Sequence, residues 1–211
     1  MRINPDSSAL TTSVSAAEAA DARRSIRQFD PAPLDEGELL ELLRLTARAP
    51  SAYNVQPWRF VVVRDDQTRA SLAAAAYGQQ QVLRAPATIV MYSDMADALA
   101  RLPEAAHPEM PEDKRRAMVD SLRASFAEKS IAQREAWGLT QTNIALGYLL
   151  LLAESHGYGT SPMLGFDASK VKTLLGLPEH AQIAALVAIG RPDEEGFRPH
   201  RLPVESLTEL R

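Results

Sequence analysis

Apolar positions along this chain recur with two different periods, and the alternation between them outlines the elements. Leu39, Leu42, Leu43 and Thr46 fall three and four residues apart with charges opposite, the spacing of one buried helix face. Asp35 with Glu38 three residues on predicts an N-cap and capping box for that helix, and Pro50 predicts its end. Phe60 to Arg64 instead carries three consecutive valines, which predicts a strand buried on both faces. Thr68 to Tyr77 reads as an alanine-rich helix and Ala87 to Tyr92 as a second strand. Thr160 to Met163 is a short extended piece, Asp167 caps a helix from Ala168 to Leu175, and Gln182 to Ile189 is the last strand.

The most apolar helix is expected from Gly138 to His156, where leucines and Ile144 go most of the way round. Such a helix has to be covered on nearly all sides. A single small domain seldom wraps one helix completely, so part of its surface is expected to meet a second subunit. Gly157 and Gly159 mark its end. Upstream, residues to about Thr12 lack periodicity and read as a loose arm, and Ser13 or Ser15 caps a short helix running to about Arg24. Residues 93–112 contain Pro103, Pro108 and Pro111 and read as an irregular connection, the best candidate for a mobile lid. A charged helix from Glu112 to about Trp137 follows, with Met118, Leu122 and Phe126 on its apolar face. Lys114-Arg115-Arg116 reads as a solvated turn. The pattern predicts one α+β domain over residues 1–211, a sheet sandwiched by helices, with 93–137 as a lid or helical insertion.

Composition narrows the chemistry. The net charge of -4 over 211 residues gives no basic field to draw nucleic acid or an anionic membrane. No cysteine is present, which removes disulfides, thiolate nucleophiles and cysteine-ligated metals. His107, His156, His180 and His200 are scattered without metal-ligand spacing, and no metal is expected. The most apolar window, Ile144 to Ala153, is about half the length a bilayer-spanning helix needs. With no signal-peptide pattern at the start, the expectation is a cytoplasmic protein. There is no G-x-S-x-G elbow, P-loop or G-x-G-x-x-G fingerprint. Chemistry without reactive side chains points to a cofactor that does the hard step.

Two stretches offer binding groups. Arg23-Arg24-Ser25-Ile26-Arg27 places three guanidiniums and a hydroxyl at a helix end. That is either an anion site, since Arg forks onto phosphate and keeps its charge, or a solvated basic terminus favoured by the helix dipole. Pro50-Ser51-Ala52-Tyr53-Asn54-Val55-Gln56-Pro57-Trp58-Arg59-Phe60 connects helix to strand. Its Ser51, Asn54 and Gln56 are polar, two prolines stiffen it, and Trp58 can anchor it in the core. Loops held between rigid elements are where binding groups concentrate, although a well-made turn would have the same composition.

Taken together the motifs resemble the nitroreductase family of flavoproteins. The likeness rests on Arg-Arg-Ser-x-Arg, on Pro50-Ser51-x-x-Asn54-x-Gln56-Pro57-Trp58-x-Phe60 about thirty residues later, and on the Gln-x-x-Val-x-x-Ala-Pro run before the second strand. Pro162-x-x-Gly165-Phe166-Asp167 and an arginine in the C-terminal tail extend it. It implies a nitroreductase-like mixed, mainly antiparallel sheet, and an intertwined homodimer with C-terminal arms exchanged and FMN at the interface. Arg23, Ser25 and Arg201 would hold the phosphate, with Arg198 in support. Arg24 would brace the neighbouring loop or ribityl chain. Arg27 would lie at the pyrimidine edge, where a cation stabilises the charge the ring takes up with hydride. Pro50, Ser51, Ala52 and Asn54 would line the other subunit's contact with the ring. Gln79 would bond the pyrimidine edge, the N–H groups near Leu164 and Gly165 would face N5, and Met163 would pack on the ring.

Some relatives carry lysine near the position of Gln81 and where Pro199 stands, so here the electron-sink cation would rest on Arg27. No side chain is assigned as a catalytic acid, base or nucleophile. The implied activity is hydride transfer from NADH or NADPH to quinones, nitroaromatics or other flat acceptors by alternate half-reactions. Two alternatives stay open: a specialised FMN enzyme such as a reductive dehalogenase or flavin-degrading enzyme, and a flavin-binding module without turnover.

Overall fold

The structure, a computed structural model, describes residues 13–211; the arm expected up to Thr12 lies outside them. Four strands form one sheet in the order β1-β2-β4-β3, with β1 Trp58–Val63, β2 Ala87–Ser93, β3 Gly159–Met163 and β4 Gln182–Gly190. Every neighbouring pair is antiparallel. The helices are α1 Ala16–Ala22, α2 Glu36–Thr46, α3 Asp66–Ala75, α4 Gln80–Arg84, α5 Met95–Ala100, α6 Leu102–Ala105, α7 Glu112–Ala127, α8 Ile131–Ser155 and α9 Ala168–Leu175.

Alternation along the two central strands builds the layers, because successive strand side chains point to opposite faces. Ile89 and Met91 of β2 and Val187 and Ile189 of β4 pack with Leu149 of α8 and Leu39 and Leu42 of α2. Val90, Leu186 and Ala188 turn the other way, to Leu72 of α3, Val82 of α4 and Val171 of α9. The sheet is therefore sandwiched by helices, as the pattern predicts. A third cluster joins Val55 to Met95, Leu102, Leu122 and Phe126, so α5 to α7 share a small core of their own.

Several expectations need correction. β1 is an edge strand, and its Val61 and Val62 are half-buried; the valine run reflects β propensity rather than burial on both faces. Residues 93–112 are not wholly irregular. Asp94 caps α5 through Asp97 N, and α6 begins with Pro103 in its first turn, where the missing N–H costs nothing. Lys114, Arg115 and Arg116 belong to the first turns of α7, with Arg116 paired to Glu112 at 2.8 Å.

The expected 112–137 helix is broken. Ser130 starts α8 with a full capping box to Gln133, so this helix begins well before Gly138. That glycine sits inside it because of close packing: an added Cβ would lie 2.4 Å from Ser93 Oγ. As expected for so apolar a helix in a small domain, α8 keeps an uncovered face within the chain, where Asn143, Ile144, Gly147 and Tyr148 are exposed. Ser15, not Ser13, caps α1. Asp35 caps α2, but Glu38 does not close the box; its carboxylate takes the Tyr158 hydroxyl and Arg191 instead.

Candidate functional site

The arginine motif falls just beyond a helix rather than on it. α1 ends at Ala22, and Arg23 turns the backbone to extended geometry, with φ -53° and ψ 125°. Ser25 then bridges Thr160 of β3 in parallel, Phe29 bridges Pro192, and Ile26 N donates to Thr160 O at 2.9 Å. In an extended segment side chains alternate. Ile26 accordingly enters the core while its neighbours Ser25 and Arg27 line a cavity with Arg23 and Arg24; Phe29, beyond them, also packs in the core. Gly159 makes the approach possible, since a Cβ there would meet Ile26 Cγ1 at 2.8 Å.

The other end of the chain returns to the same place. Gly196, at φ +64°, reverses the backbone where a Cβ would lie 3.3 Å from Ser25 O, and Phe197 to Arg201 continue along the cavity rim. The cavity, about 210 Å³, is lined by Arg23, Arg24, Ser25 and Arg27 from one end and by Arg198, Pro199, His200 and Arg201 from the other. Arg24 Nη1 donates to Glu195 O at 2.9 Å and Arg201 Nη1 to His200 O at 2.8 Å. Arg23 Nη1 is buried and has no hydrogen-bond partner among the described residues. A buried cationic donor left unsatisfied is costly, and it fits a site made for an anion. Nearby on α8, burial pushes the Glu154 carboxyl up, and Arg23 and Arg24 only partly pull it back.

The Ser51–Gln56 loop is built differently. Tyr53, Asn54 and Gln56 have φ of 55°, 56° and 49°, the left-handed region that side chains with a Cβ avoid. Its polar groups are nevertheless satisfied. Ser51 Oγ accepts from Gln56 N at 3.0 Å, Ala52 N donates to Gln141 Oε1 of α8 at 2.9 Å, and Asn54 Nδ2 donates to Ala105 O of α6 at 2.7 Å. Trp58 is buried in the main core, as expected. A third group forms where Gln79 Nε2 donates to Gly165 O at 2.7 Å and Gln81 Nε2 donates to Gln79 Oε1 at 2.9 Å. Met163 beside it is buried, and Leu164 is exposed.

The structure thus brings together Arg23, Arg24, Ser25, Arg27, Arg198 and Arg201, and separately Gln79 and Gly165. Pro50, Ser51, Ala52 and Asn54 form a third locus, and no hydrogen bond among the described residues joins it to the other two.

Sequence spacing gave no sign of Gln141, of Glu194, or of the cluster formed by Asp94, Glu135 and His180. Glu135 of α8 is buried and accepts from Ser93 Oγ at 2.7 Å and Met95 N at 2.9 Å. His180 Nε2 lies 3.1 Å from Asp94 Oδ1 and 3.9 Å from Glu135 Oε1. Burial pushes Glu135 up, against these bonds. Burial also opposes Asp94, but the bond from Asp97 N, with His180 and Arg59, holds it below the usual range. Both carboxylates are thus already used in hydrogen bonds at the root of α5.

Comparison with known proteins identifies the family. The profile described as Nitroreductase family matches residues 20–191. The chain belongs to the nitroreductase family. It is 50% identical over 189 residues to the NADH dehydrogenase of Thermus thermophilus, covering 90% of this chain and 92% of that one. A nitroreductase family protein of Streptococcus pneumoniae superposes with a TM-score of 0.84 at 30% identity, over 93% of this chain and 100% of that chain. A protein of Exiguobacterium sibiricum solved in complex with FMN superposes with a TM-score of 0.87 at 26% identity, over 96% of this chain and 100% of its own. The nitroreductase match stops at residue 191, so the tail arginines at the cavity lie beyond it. No helix among the described residues is long and apolar enough to cross a membrane.

Proposed function

We propose that this nitroreductase binds FMN and passes hydride from NADH or NADPH to flat acceptors such as quinones and nitroaromatics, by a ping-pong sequence in which donor and acceptor use one space in turn. The observation that carries the reading is the cationic cavity made by both ends of the chain, lined by an Arg23 whose buried Nη1 has no hydrogen-bond partner among the described residues. Arg23, Ser25 and Arg201 hold the FMN phosphate, with Arg198 in support and Arg24 bracing the loop. Arg27 and Gln79 serve the pyrimidine edge, where Arg27 supplies positive charge. The bond from Gln79 to Gly165 supports placing the Leu164–Gly165 backbone next to that edge, with its N–H groups toward N5 and Met163 against the ring. When bound, the flavin supplies the hydride chemistry; the protein supplies placement and electrostatics.

The second subunit is part of the reading. Ile144 and Tyr148 on α8 are 41% and 40% exposed, and Phe197, Leu202, Val204, Leu207 and Leu210 of the tail are 64–93% exposed. Exposed apolar surface of this extent marks an interaction site, which supports a homodimer with exchanged arms. Its partner's Pro50–Asn54 loop would then complete the ring site. Residues 93–137, with their own small core, act as the lid over a single domain.

The deciding experiment is an absorption spectrum of the purified protein, followed by NADH or NADPH oxidation with menadione and with a nitroarene. A yellow dimer that turns over both acceptors supports the reading. Protein that stays colourless when FMN is added defeats it. Turnover of one special acceptor alone would replace it with a specialist enzyme, and bound FMN without turnover with a storage module.

A further inference from the structure

Within that cofactor reading, we infer that Glu194 is a positioning residue that sets the phosphate end of the site and so the preference for FMN over riboflavin. Its Oε1 accepts from the backbone N–H groups of Arg27 and Gln28, at 2.5 and 3.1 Å, across more than 160 positions of sequence. It does not line the cavity. With Ile26 and Tyr158 it lines a neighbouring cavity instead. The same turn adds Asp193 N to Gln28 O at 3.0 Å and Arg24 Nη1 to Glu195 O at 2.9 Å, and Gly196 packs on Ser25 O. The Glu194 carboxylate therefore joins the segment that carries Arg23, Ser25 and Arg27 to the turn that delivers Arg198 and Arg201.

One physical effect follows. Fixing both segments before the ligand arrives lowers the ordering cost of binding. The turn carries Arg198 and Arg201, assigned to the phosphate, so a ligand that lacks a phosphate gains less from it.

The test titrates apoprotein with FMN and with riboflavin, read by quenching of flavin fluorescence, for wild type, E194A, E194Q and E194D. Loosening both segments is expected to cost E194A about tenfold in FMN affinity, with a smaller loss for riboflavin. E194Q keeps a carbonyl acceptor and recovers most of the loss. E194D, one methylene shorter, falls between and carries the test if E194A does not fold. FMN affinity at the wild-type level in E194A and E194D overturns the inference, and so does an equal loss for FMN and riboflavin. Wild-type protein that takes up no FMN overturns the cofactor reading itself, whereas E194A that binds FMN as tightly as wild type overturns this inference alone.

Discussion

The two polar regions of the candidate site are prepared for a ligand in opposite ways. At the arginine end the backbone is ordinary extended chain, and readiness is electrostatic: converging guanidiniums, one with a buried donor unpaired. At the Ser51–Gln56 loop the hydrogen bonds of Ser51, Ala52 and Asn54 are made within the chain, and readiness is conformational, stored in left-handed residues. Charge concentrated at one end suits an anion. Backbone strain of ~1–3 kcal/mol per residue persists only where the surroundings enforce it, and it suits a surface whose shape matters more than its charge.

The largest expected effect breaks the arginine end. Arg23→Ala or Arg201→Ala removes a charge-assisted bond of roughly 1.5–3 kcal/mol, about tenfold to a hundredfold in FMN affinity. Riboflavin should bind these variants as it binds the wild type. Equilibrium dialysis of both ligands measures the split, and FMN held at wild-type affinity by either variant would remove the phosphate assignment.

The next effect falls on the loop end and leaves the arginine end alone. Asp94 N donates to Pro57 O at 2.9 Å, so the β2–α5 junction that Glu135 fixes also fixes the end of the loop. Glu135→Ala orphans Ser93 Oγ and Met95 N and is expected to cost about 1–3 kcal/mol of stability. Chemical denaturation measures it, and an unchanged ratio of FMN to riboflavin affinity shows that the two ends are independent.

The same residue predicts a pH signature. Burial raises the folded carboxyl of Glu135 above its unfolded value, so its contribution favours folding below the ordinary glutamate range and is lost as pH rises through the raised value. Asp94, held low, has the opposite sign and favours folding above the ordinary aspartate range. The melting-temperature advantage of wild type over Glu135→Gln should therefore shrink as pH rises from about 4 toward neutrality. An advantage that grows over that window would reverse the assigned sign.

How much of this was legible in the sequence follows the same division. Short-range signals held: Ser15 and Asp167 cap their helices, because a cap depends on a side chain and an N–H three residues on; the Asp65 cap of α3, of the same kind, went unread. Leu39 and Leu42 face the core as their spacing requires. The break at Ser130 was also readable, as a capping box inside a run of charged residues, but the smooth apolar pattern on either side masks it. What could not be read were pairings across the fold. Glu194 meets Arg27, and Glu38 leaves its capping box for Tyr158, through contacts more than a hundred residues apart. Gly138 interrupts a helical pattern for a reason that only the facing Ser93 supplies.

The smallest effect tests the strain directly. Tyr53 is 63% exposed, so replacing it forfeits little burial, and what remains is backbone. Glycine ordinarily destabilises by ~0.5–1 kcal/mol relative to alanine because it has more freedom to lose. At a left-handed position the order should reverse, since a Cβ there costs roughly 1–2 kcal/mol and glycine avoids it. Tyr53→Gly is therefore expected to be more stable than Tyr53→Ala by up to about 1 kcal/mol, measured by parallel denaturation of the two variants. Should alanine prove the more stable, the loop is relaxed at this position. Its readiness would then rest on hydrogen bonds to Gln141 and Ala105 alone, and the contrast with the arginine end would reduce to one of charge.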